Sequence, residues 1–216
     1  MNTIARIRPW LAWTLWVVGL TCIMWCGWVT AKEKSFQVEQ GRLLDRELSS
    51  PPSIRLASRP AANSTVAPNL IGRLDIARVK LSVMVVEGDD EETLNVAVGH
   101  LPDTPLPWQS GNSALAGHRD TFFRPLKDVR VGDEIVLTSL HGELHYRVER
   151  TVIVDPQDLS VLKPSVKPTL TLVTCFPFFY VGHAPRRFVV QARRLGAEPR
   201  PVDTESQPRP RIHATS

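Results

Sequence analysis

Residues 169–195 read TLTLVTCFPFFYVGHAPRRFVVQARRL. The opening TLTLVTC is a β-branched run of the kind that fills a buried strand, and RRFVVQARRL alternates its faces as a half-buried strand does. FPFFYVGHAP between them breaks both patterns with two prolines, a glycine and a row of aromatics, so it reads as a loop joining neighbouring strands. Outward from this unit the same grammar recurs. IGRLDIA, VKLSVMVVEG, SALAGH, DEIVLTSL and LHYRVERTVIV are short apolar runs bounded by turn residues, and His141-Gly142-Glu143 makes a hairpin of the last two. DDEETLNVAVGHL carries Asp89 or Asp90 as a helix cap, and PQDLSVLKP holds one helical turn. About eight short strands with minor helices predict an all-β domain over residues 69–195. A closed eight-stranded β-barrel is the reading and a β-sandwich the alternative.

The remaining sequence frames this domain. The chain has 216 residues, 43% hydrophobic and 22% charged, with a net charge of +4. That is one ordinary domain plus extra segments, and the basic residues form no dense run, which argues against nucleic acid as a partner. From Pro9 to Ala31 there is no charged residue, and five of the six tryptophans lie there: Trp10, Trp13, Trp16, Trp25 and Trp28. Such a run is long enough to span the ~30 Å hydrocarbon core, with indole rings towards its ends, and too long for a signal-peptide core. The expected organisation is therefore a cytoplasmic N-terminus (1–8), a transmembrane signal-anchor (9–31) and a juxtamembrane segment with a Ser/Pro/Ala-rich linker (32–68). The extracytoplasmic domain (69–195) and a disordered tail (196–216) complete it.

Three cysteines are present, Cys22 and Cys26 in the apolar run and Cys175 alone in the domain. Neither a disulfide framework nor a zinc site can be built from one domain cysteine, and no metal or cofactor is expected. Cys175 ends a strand beside a loop, where a side chain can be presented to a groove, yet by residue type alone it reads as a small buried hydrophobe. Six histidines are available as a base, and His118, delivered by a strand behind Gly117, stands beside His100, His141, His145, His183 and His213. Arg186 and Arg187 open the strand after Cys175, where a guanidinium can hold a developing oxyanion.

TLVTC resembles the Thr-Leu-x-Thr-Cys motif of sortases, ALAGHRDTFF the segment bearing their histidine, and APRRFVVQA the strand bearing their arginine. The three occur in the family's order, and GHRDTFFRPL with CFPFFYVGHAPRRFVV is most similar to the class D branch. The resemblance implies Cys175 as nucleophile, His118 as general acid and base, and Arg187 as oxyanion or orienting residue, with Arg186 still open. Thr174 would line the substrate site, and the loop from Asp155 to Pro168 would hold part of the substrate. The implied fold is the sortase-type eight-stranded barrel. The implied partners are secreted proteins with a C-terminal Leu-Pro-x-Thr-type sorting signal, an amine acceptor of the bacterial cell envelope, and membrane lipid around the N-terminal helix. The Asp-Pro-aromatic lid element of pilin-polymerising members has no counterpart in the sequence, which points away from a pilus polymerase. The competing readings are another thiol cell-wall transpeptidase and a non-catalytic membrane-tethered barrel that binds without reacting.

Overall fold

The structure, a computed structural model, describes residues 3–49, 69–180 and 182–196. The expected linker beyond residue 49 and nearly all of the expected tail lie outside them. Eight strands close into a barrel: β1 Leu70–Ile76, β2 Leu81–Glu87, β3 Val98–His100, β4 Asn112–Ala116, β5 Glu134–Ser139, β6 Gly142–Val154, β7 Thr169–Phe176 and β8 Arg186–Arg194. Around the wall the order is β1-β2-β3-β4-β7-β8-β6-β5, with β2–β3 and β4–β7 parallel and the other neighbours antiparallel. The closed barrel, rather than the sandwich, is what the chain adopts.

Alternation along the strands sorts side chains between the barrel interior and its outer wall. Leu74, Ile76, Leu81, Val83, Val85, Ile135, Leu137, Leu170, Leu172 and Val190 are buried in one apolar cluster. Phe123 and Leu126, from the turns after β4, join it with no exposed surface. The β5–β6 hairpin turns through Leu140 and His141, and Gly142, at φ 107°, opens β6 in a conformation that favours glycine. Between β2 and β3 a short helix, α1, spans Glu91–Leu94; its cap is Asp90, which accepts from the Thr93 amide (3.0 Å) and hydroxyl (2.8 Å). That arrangement holds the Asp90 carboxyl below the usual carboxylate range.

The N-terminal segment is a single long helix, αN, over Thr3–Ser49. The first part of the juxtamembrane segment expected after residue 32 continues this helix, because KEKSFQVEQGRLLDREL is rich in strong helix formers and contains no proline. Among the described residues no helix is long and apolar enough to cross a membrane. The first half of αN nevertheless exposes Trp13, Trp16, Val17, Leu20, Ile23 and Trp25. Its second half is docked on the barrel. Leu44 is buried, Asp45 pairs with Arg73 at 2.9 Å, and the Gln37 amide bridges β2 and the turn before β3. Gln37 Nε2 donates to the Val96 carbonyl (2.7 Å) and its Oε1 accepts from the Met84 amide (2.8 Å). One side chain thereby satisfies a donor and an acceptor beside the short β3, where the sheet ladder does not reach.

Candidate active site

A groove of about 350 Å³ runs along the outer wall where β4, β7 and β8 meet the β6–β7 loop. On β7 the alternation sends Leu170 and Leu172 into the core and Val173 and Cys175 to this wall. Cys175 pairs in register with Arg187 of β8, and Arg186 pairs with Phe176. Directly opposed residues on antiparallel strands share a face with Cβ atoms about 4.5–5.5 Å apart. Arg187 therefore stands beside the thiol and lines the groove, whereas Arg186 is exposed on the other side of the strand. The register separates two arginines that are equivalent in the sequence. The Arg187 guanidinium donates to the Arg186 carbonyl (3.2 Å) and the Ala184 carbonyl (3.4 Å), both in its own chain turn.

His118 reaches the groove from β4. Ala116 pairs with Val173 of the parallel β7, and the Gly117 amide continues that ladder to the Val173 carbonyl at 3.2 Å. Thr174 then donates from Oγ1 to the Gly117 carbonyl at 2.7 Å, while 2% exposed. The residue before the cysteine thus fixes the residue before the histidine. Thr174 borders the groove, and its hydroxyl is committed to this bond. Gly117 is required for a close approach: a Cβ there would stand 2.8 Å from the Phe123 ring. What this glycine admits is the ring of a core aromatic.

The other histidines are placed elsewhere. His100 is buried with Nδ1 at 3.0 Å from Glu87 and Nε2 at 3.1 Å from the Pro105 carbonyl. His141 stacks on Trp108 with ring centroids 3.8 Å apart, His145 meets Glu134 at 2.8 Å, and His183 is exposed outside the groove. His213 lies outside the described residues. Among the described residues, His118 is the histidine that lines the groove with Cys175.

The facing wall is the β6–β7 loop, which contributes Asp155, Pro156, Asp158, Leu159, Val161 and Leu162. It is not a loose loop. Asp158 caps a 3₁₀ turn over Leu159–Leu162 by accepting from the Ser160 amide (2.9 Å), and its bonds to Ser160 hold its carboxyl below the usual range. Asn112 donates from Nδ2 to the carbonyls of Val161 (2.9 Å) and Lys163 (3.2 Å), and accepts from Thr171 Oγ1 (2.7 Å). Gln191 donates to the same Val161 carbonyl at 2.9 Å. Asn112, Thr171 and Gln191 come from three strands, and no local pattern announced them. Their pairing is visible only once the β4–β7–β8 register is set. Among the described residues no group of three or more His, Cys, Asp or Glu side chains is placed to hold a metal ion.

A thiol at a strand end, an imidazole and a guanidinium on one groove wall form a set suited to acyl transfer from an extended peptide. Residues 74–195 match the family model described as the sortase domain. The chain is 38% identical over 125 residues to Sortase D of Bacillus subtilis, covering 57% of this chain and 63% of that protein. It is 28% identical over 141 residues to Sortase A of Listeria monocytogenes, covering 63% of each. The matched region thus spans a little under two thirds of these relatives. The solved structure of a Clostridium perfringens Sortase D5 transpeptidase superposes with a TM-score of 0.63 at 24% identity, covering 75% of this chain and 99% of that one, a likeness of fold. The class D likeness of the histidine and cysteine segments is in keeping with these relatives. By its sequence and its barrel, the chain belongs to the sortase family.

Proposed function

We propose that the chain is a membrane-anchored cysteine transpeptidase that cleaves a Leu-Pro-x-Thr-type sorting signal and joins the released carboxyl end to an amine of the cell envelope. The observation that carries this reading is the register pair Cys175–Arg187 on a groove shared with His118. In the first step the Cys175 thiolate attacks the threonine carbonyl carbon and Arg187 faces the resulting oxyanion. The C–N bond then breaks as His118 gives its proton to the departing amine, leaving a thioester. In the second step the acceptor amine attacks the thioester, His118 takes up the amine proton, and the thiolate leaves. The β6–β7 wall, pinned by Asn112 and Gln191, supplies apolar surface at Leu159, Val161 and Leu162 for the Leu-Pro portion of the signal.

The uncharged run Pro9–Ala31 of αN is the proposed membrane anchor, with the barrel on the extracytoplasmic face of a bacterial membrane. An uncharged run that exposes Trp13, Trp16, Leu20, Ile23 and Trp25 suits hydrocarbon better than water. Gln37 lies six residues beyond Ala31, about 9 Å along the helix, so the docked barrel would sit near the membrane surface. The reading is tested by incubating the purified full chain in detergent with Leu-Pro-x-Thr peptides and an amine. Cleavage after threonine with transfer to the amine supports it, and a Cys175→Ala variant that cleaves equally well defeats it.

A further inference from the structure

Arg119 directly follows His118, and its side chain is used by neither partner of the chemistry above. It crosses instead to the loop that follows Cys175. Its Nη2 donates to the Tyr180 carbonyl at 2.9 Å and the Gly182 carbonyl at 3.0 Å, and its guanidinium carbon lies 5.8 Å from the centroid of the Tyr180 ring. Its Nη1 is buried without a hydrogen-bond partner. A surface arginine leaves its donors in water. Here one nitrogen is desolvated at a cost while its twin spans two carbonyls, so the guanidinium is held in one place by its surroundings. The loop it holds leads from Cys175 to Arg187, and the turn it springs from carries His118. Among the described residues, the Thr174–Gly117 and Gly117–Val173 hydrogen bonds tie the His118 turn to β7, and neither reaches the loop.

We propose that Arg119 is a positioning residue that locks the Cys175–Arg187 loop to the His118 turn, so that thiol, imidazole and guanidinium keep one spacing. This rests on the acyl-transfer reading for its catalytic consequence but not for its effect on the thiol. A misplacement of about 1 Å among reacting groups can cost on the order of 100-fold in rate. Lysine keeps the charge but cannot present the same planar fork to two carbonyls and a ring.

The test compares the full-length wild type, Arg119→Lys, Arg119→Ala and, as a control, Arg124→Ala, an exposed cation lying 5.9 Å from the Phe179 ring. Two quantities are read: kcat and KM for peptide cleavage, and the rate of iodoacetamide alkylation of Cys175 followed on its own peptide by mass spectrometry. The expected result is a kcat about 10- to 100-fold lower for Arg119→Ala, with Arg119→Lys intermediate and KM within about threefold. The alkylation rate should shift by at least about threefold in Arg119→Lys, at an unchanged melting temperature, with Arg124→Ala like the wild type. If the wild type cleaves no peptide, the acyl-transfer reading fails, and the alkylation rates alone decide the clamp. Alkylation unchanged in both Arg119 variants, a loss confined to KM, or an equal loss in Arg124→Ala overturns it.

Discussion

Replacing Thr174 by valine keeps the side chain's shape and removes one hydroxyl. Thr174 is 2% exposed, and its hydroxyl donates to the Gly117 carbonyl at 2.7 Å. The substitution forfeits the bond and leaves a carbonyl without this donor, which together cost about 1–3 kcal/mol. For a domain of this size that corresponds to a melting temperature lower by about 4–12 °C. The catalytic consequence is larger than the thermal one, because Gly117 precedes His118 and its carbonyl fixes the turn that carries His118 into the Cys175 groove. A shift of about 1 Å there lowers kcat/KM by about 10- to 100-fold. The assay is peptide cleavage followed by chromatography, with thermal melts alongside, on Thr174→Val and Thr174→Ser. Serine retains the hydroxyl and should keep most of the activity. A valine variant as active as the serine variant would refute the idea that Thr174 positions His118. A serine variant as impaired as valine would place its role in the γ-methyl group instead.

Three further outcomes follow from the same geometry. Arg187→Ala should lower kcat/KM by about 100- to 1,000-fold while Arg186→Ala stays within a few-fold, measured by the same cleavage assay, and the reverse order would contradict the register argument. Asn112→Ala removes the donors to the Val161 and Lys163 carbonyls and should raise KM by about tenfold with a smaller change in kcat, seen in initial rates against peptide concentration. Asp133, 9% exposed, is held below the usual carboxylate range first by its bonds from Arg78 (2.5 and 2.6 Å) and then by the Arg130 amide (2.7 Å). Because the folded value lies below the unfolded value of about 3.9, this stabilisation is present above that pH and is lost as the pH falls through the folded value. Thermal melts from about pH 2 to 7 should therefore show Asp133→Asn less stable at neutral pH and less sensitive to acid than the wild type.

The strands were legible in the sequence because a period-two pattern needs only local residues, and β1, β2, β4, β7 and β8 fall where IGRLDIA, VKLSVMVVEG, SALAGH, TLTLVTC and RRFVVQARRL predict them. Cys175, His118 and Arg187 were legible as motif positions, and the groove gathers all three. The choice between Arg186 and Arg187 was not, since neighbours in a strand differ only in the face they take, and face is set by pairing with β7. The Asn112–Thr171–Gln191 clamp was invisible for a related reason: its successive members are 59 and 20 positions apart and meet through strand order. Gln37 is a further case, its amide satisfying groups 47 and 59 residues away. The continuous helix through residue 32 was missed because a change from apolar to charged residues marks a change of solvent, not of backbone conformation.

The central claim is that the Cys175 sulfur carries the acyl group. Intact-mass spectrometry of the full chain, quenched in acid seconds after mixing with a Leu-Pro-x-Thr peptide and no amine, tests it most directly. The account predicts a species heavier by the peptide up to its threonine, attached at Cys175 and absent in Cys175→Ala, that disappears when an amine is added. Peptide turnover without that species, or an adduct that persists in Cys175→Ala, would contradict it.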